Sequence, residues 1–136
     1  MPELASRPVH QRCCLLPGDV RLDADAAAAL SQDFRLLADP IRLQILDILA
    51  ERGGEVCVCD LEAALPVKQP TVSHHLRMLL HSGVVTVVRK GLWAYYGLVP
   101  GDLEARRSRL QSFLSSQVPE GVALQASEVI DGTRVP

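Results

Sequence analysis

Two short helical patterns parted by a four-residue turn, a pair of β-branched and aromatic runs directly after them, and amphipathic helical stretches on either side predict a mainly α fold with a small β-hairpin. Helix, tight turn and helix form a helix-turn-helix, and the hairpin that follows gives it a wing. At 136 residues, 48% hydrophobic and 22% charged, the chain has the size and balance of one soluble domain with one core.

Residues 1–22 mix Pro, Arg, Gln and Gly without a period and read as a flexible N-terminal arm. A domain over 23–117 follows. "DADAAAALSQDFRLLA" (Asp23 to Ala38) opens with acidic residues, continues in alanines and places Leu30, Phe34 and Leu37 on one helical face. In "DPIRLQILDILAERGG", Asp39 is positioned as a cap and Pro40 as the first helical residue. Ile41, Ile45, Ile48 and Leu49 form the stripe, and Gly53 and Gly54 end it. The helix-turn-helix is then Val58 to Leu65, a turn at "PVKQ", and a second helix from Pro70 that turns Val72, Leu76 and Leu79/Leu80 inward and stops at Gly83. "VVTVVR" and "LWAYYGLV" read as a hairpin joined at Lys90-Gly91, with no turn type fixed. A last amphipathic helix runs from Asp102 to Gln117 with Leu103, Leu110, Phe113 and Leu114 on its apolar side, and 118–136 read as a disordered tail.

The net charge of −2 argues against a general polyanion binder, yet no Asp or Glu occurs between Ala63 and Gly101. That stretch carries Lys68, Arg77, Arg89 and Lys90, with His74, His75 and His81. It coincides with the winged unit, whose second helix enters the major groove of duplex DNA. Lys68, Gln69, Thr71, Ser73, His74, His75 and Arg77 are therefore expected to face base edges and phosphates, and Arg89 and Lys90 at the wing tip to reach the adjacent backbone or minor groove. A merely solvated helix face would need the missing carboxylates to be a coincidence.

No apolar run approaches the roughly 18 residues of a membrane span, and "MPELASRPVHQR" lacks the order of a signal peptide. A cytoplasmic location without a membrane partner is expected, and with it four reduced cysteines, in the pairs Cys13/Cys14 and Cys57/Cys59. There is no nucleophile triad, carboxylate pair or phosphate loop, so neither catalysis nor an organic cofactor is expected.

Three stretches, "LADPIRLQILDIL", "QPTVSHHLRMLLHSGVV" and "RKGLWAYYGL", resemble the ArsR/SmtB family of metal-sensing repressors over about residues 30 to 115. The resemblance implies a winged-helix homodimer that sits on a palindromic operator and leaves it when an inducer binds. It also implies that the first and last helices form the dimer interface.

Cys57 precedes the first helix of the motif, at its N-cap, where a thiol caps poorly but lies at the positive end of the helix dipole. Positions two apart on an ideal helix are about 200° apart, so Cys57 and Cys59 are expected to share one ion only by loosening the first turn. The family's arsenic repressors carry three thiols in a related "ELCVCDLC"; here the third place is Glu62. The resemblance therefore points to Cys13 and Cys14 as the remaining ligands, and thiolates select As(III), or Sb(III), Cd(II) or Pb(II). Arsenic is the first expectation, a four-thiolate cadmium or lead site the alternative, and a thiol redox switch the second alternative. Vicinal and i,i+2 disulfides are awkward, which disfavours the last.

Overall fold

The computed structural model describes residues 14–119. After one 3-10 turn at Pro17–Asp19 come α1 (Ala24–Leu37), α2 (Pro40–Arg52), β1 (Val56–Cys57), α3 (Val58–Ala64), α4 (Gln69–Ser82), β2 (Val85–Lys90), β3 (Trp93–Leu98) and α5 (Pro100–Ser116). This is the expected winged helix-turn-helix. Cys13 and residues 120–136 lie outside the described residues.

Local chemistry sets most boundaries. The Asp23 carboxylate accepts from the Ala26 N–H at 2.8 Å to start α1, and Asp39 accepts from Ile41 and Arg42 to start α2, with Pro40 in its first turn. Gly53 and Gly83 end α2 and α4 at φ 70° and 87°, where a side chain would be strained. α4 begins one residue before Pro70, so Gln69 is helical and Lys68 is the cap.

The hairpin closes one residue later than Lys90-Gly91. Lys90 is still in β2, opposite Trp93, and the turn is Gly91-Leu92. Gly91 has φ 62° and Leu92 does not have a positive φ, the pattern of a type II′ turn, which needs glycine first. A third strand joins the sheet: β1 pairs antiparallel with β3, Val56 opposite Tyr96 and Cys57 opposite Tyr95, in the order β1-β3-β2. Two residues are too few for an alternating pattern to mark.

The core gathers Ile45 and Leu49 of α2, Leu61 of α3, Val72, Leu76 and Leu79 of α4, and Val84 and Val85 at the start of the hairpin. Each such side chain taken from water contributes about 1.5–3 kcal/mol, which fixes α3 and α4 as one unit. The outer helices are less covered. α5 has no buried residue, and Phe34 is 41% exposed, its ring edge-on to Phe113 at 6.3 Å. In α1 Leu30 is inward as predicted, while Asp33 and Leu36 are buried in place of Phe34 and Leu37, each one position earlier. Among the described residues no helix is long and apolar enough to cross a membrane.

Candidate nucleic-acid interface and thiol site

The packing of α4 divides it lengthwise. Val72, His75, Leu76 and Leu79 are buried, whereas Lys68, Gln69, Thr71, His74 and Arg77 are exposed and Ser73 is half-buried. No side chain caps α4 and no acidic residue lies in its first turn, so its positive dipole end carries no countercharge, although Pro70 has no N–H and the Thr71 N–H already donates to the Lys68 carbonyl at 3.0 Å. In the wing, Arg89 and Lys90 are exposed. Lys90 is already engaged: its Nζ lies 2.8 Å from Glu55 Oε2 and 5.0 Å from the centre of the Tyr95 ring. The bond to Glu55 holds the Lys90 pKa above the ordinary lysine value.

His75 corrects the sequence reading. Expected to face DNA, it is buried, because positions 72, 75, 76 and 79 share one helical face. Its Nδ1 lies 3.2 Å from Arg42 Nη1; an arginine only donates, so Nδ1 accepts and the ring proton sits on Nε2, 3.7 Å from Asp39 Oδ1. Arg42 is also buried, and it donates from Nε to the Leu36 carbonyl at 2.7 Å and from Nη2 to the Arg35 carbonyl at 2.8 Å. Those carbonyls have no partner inside α1, so Arg42 closes the end of that helix while bracing α4.

A second buried network joins α1 to α5. Asp33, 1% exposed, accepts from Arg106 Nη1 at 2.8 Å and from Arg109 Nε at 2.8 Å and Nη2 at 3.0 Å. Arg106 also donates to Asp102 and to the Ser82 carbonyl at the end of α4. The Arg109 hydrogen bond is the largest influence on the Asp33 pKa and, with both guanidinium charges, lowers it against the opposing effect of burial. The sequence signal was available: Asp33 stands three residues from both Leu30 and Leu36, on the inward face.

At the start of α3 the two sulfurs meet. Cys57 is buried and caps the helix with extended backbone, φ −63° and ψ 139°, and its side chain accepts no cap bond. Because the cap is not helical, the ideal 200° separation does not apply, and the exposed Cys59 puts its Sγ 2.7 Å from that of Cys57. The expected loosening of the turn is therefore not needed to bring the thiols together. Cys57 pushes the Cys59 thiol up first through their hydrogen bond; burial and the charges of Cys57 and Asp60 act the same way.

Two thiolates bound to one tetrahedral ion at about 2.3 Å stand about 3.8 Å apart, close to the van der Waals contact of two sulfurs, so this adjacent pair fits one ion. It supplies two donors. Cys14 is exposed, and among the described residues no three Cys, His, Asp or Glu side chains converge as a metal site, so Cys14 and the Cys57/Cys59 pair do not meet within one chain. Cys13 lies outside the described residues.

Residues 39–87 match the model of the bacterial regulatory protein arsR family. An HTH-type transcriptional regulator of Methanocaldococcus jannaschii is 44% identical over 66 residues, 48% of this chain and 73% of that protein. The arsenical resistance operon repressor of Escherichia coli is 46% identical over 69 residues, 51% of this chain but only 58% of that protein. Among solved structures, a possible transcriptional regulator for arsenical resistance superposes with a TM-score of 0.59 at 31% identity, over 71% of this chain and 95% of that one. The antimony-specific repressor AntR gives 0.55 at 29% identity, over 77% and 97%. Winged topology, buried "DPIR" arginine and dithiol at the α3 start thus stand in a chain that belongs to the ArsR family of bacterial transcriptional regulators.

Proposed function

We propose that this chain is a cytoplasmic repressor that binds double-stranded operator DNA as a homodimer and releases it when trivalent arsenic, or antimony, binds cysteine thiolates. Lys68, Gln69, Thr71, Ser73, His74 and Arg77 serve the DNA, with Arg89 and Lys90 at the wing. Cys57 and Cys59 supply two ligands, and Cys13 and Cys14 the rest, from the N-terminal arm across the dimer. Dimerisation is supported by the exposed Phe34 and Leu114 and by the absence of any buried residue on α5.

The observation that carries this reading is the adjacency of two cysteine sulfurs at the start of the helix that packs with α4 in the core. An ion that binds both sulfurs acts on the support of the DNA-reading helix. The names of the arsenical and antimony repressors support a thiophilic metalloid over zinc.

The same sulfur contact also favours a second reading, in which an oxidant joins Cys57 to Cys59. Arsenite, cadmium, zinc and peroxide titrated separately into the protein–DNA complex separate the two. Release by arsenite under reducing conditions is expected, and release by peroxide alone would replace the metalloid reading with the redox one.

A further inference from the structure

The exposed face of α4 does not end at the helix. His74, Arg77 and His81, at i, i+3 and i+7, border an open cavity of about 940 Å³ whose opposite wall is Gln32 and Arg35 of α1. No carboxylate lines this cavity. Among the described residues, the Arg35 and Arg77 guanidinium groups have no hydrogen bond or ion pair, and both are exposed. The nearby Arg106, in contrast, is already neutralised by Asp33 and Asp102.

We propose that Arg35 is a DNA-phosphate contact that extends the recognition surface from α4 onto α1. This rests on the operator-binding reading above. Arg35 and Arg77 present two unpaired cations across a space continuous with the base-reading face, the charge pattern that a phosphodiester backbone complements. The floor is apolar, with Leu36 and Met78, and suits the deoxyribose face between phosphates. Arg35 is also well anchored: its carbonyl, not its guanidinium, receives the 2.8 Å bond from buried Arg42, so the side chain reaches out from a fixed backbone. A contact of this kind carries no base information and sets register and affinity only.

The test is the salt dependence of binding by the full chain to a selected operator duplex and to an unrelated duplex, for wild type, Arg35→Ala and Arg35→Lys. Arg35→Ala is expected to weaken both duplexes by the same several-fold factor. It should also lower the slope of log K against log salt by about 0.9 for each phosphate that Arg35 neutralises, with Arg35→Lys close to wild type. An unchanged slope in Arg35→Ala, while Ser73→Ala still weakens the operator, would overturn the Arg35 contact and leave the operator reading standing. Weakening confined to the operator would overturn it too, by making the contact base-specific. Wild type that binds neither duplex would remove the operator reading and this inference together.

Discussion

The Sγ atoms of Cys57 and Cys59 lie side by side because Cys57 is the extended cap of α3 and not its first helical residue. The pair therefore behaves as one dithiol. Replacing either cysteine by Ser is expected to abolish ion-induced release while leaving DNA affinity unchanged, measured by fluorescence anisotropy. Since Cys57 holds the Cys59 thiol above its ordinary pKa, cadmium has to displace a bound proton, and its affinity should fall as pH is lowered. Arsenite brings hydroxyls that leave as water with the thiol protons, so its affinity should depend on pH less steeply. Calorimetry of both ions across pH checks the contrast.

Cys13→Ser with Cys14→Ser is expected to cut induction sharply while repression persists. A fully inducible double variant would remove the arm from the site and leave the dithiol as its only protein part.

Asp33 ties α1 to α5 through two arginines, and Asp33→Asn leaves Arg109 without its carboxylate. A loss of about 3 kcal/mol in urea unfolding is expected. The pH sign follows from the lowered pKa: the stabilisation is present above the ordinary carboxyl value of about 3.9 and is lost as pH falls through the lower folded value. Wild type and variant should therefore converge only below about pH 4.

His75 and Arg42 are expected to act on stability and not on DNA charge. Arg42→Ala removes donors from two helix-end carbonyls and from His75, for a loss of about 2–4 kcal/mol. His75→Ala should lower the melting temperature with the salt slope of DNA binding unaltered. A slope reduced by about 1 would return His75 to the DNA-facing set.

Arg77→Ala is expected to cost about 1–3 kcal/mol in operator binding without changing ion affinity, and Ser73→Ala to weaken the operator more than unrelated DNA. Equal operator binding by Arg77→Ala and wild type would move the recognition surface off α4.

Much of the fold was legible because caps and stops announce themselves: Asp39-Pro40, Gly53 and Gly83 mark the ends that the structure has. What escaped depended on tertiary partners. β1 exists only by pairing with β3, and the turn shifted by one because Gly91 alone takes the positive φ of its first position. Asp33 and His75 were hidden by their polarity, which reads as surface until Arg106, Arg109 and Arg42 are seen to satisfy them. For the thiols, the positions were readable but the distance was not, since it hangs on one non-helical dihedral pair at Cys57.

The most direct test of metalloid release through the dithiol is anisotropy of a duplex selected by this protein from a random library, followed as arsenite is added under reducing conditions. A palindromic duplex is expected, bound before addition and released by arsenite in wild type but not in Cys57→Ser or Cys59→Ser. A complex that keeps its DNA at saturating arsenite, or that releases it equally well without those cysteines, would contradict the assignment.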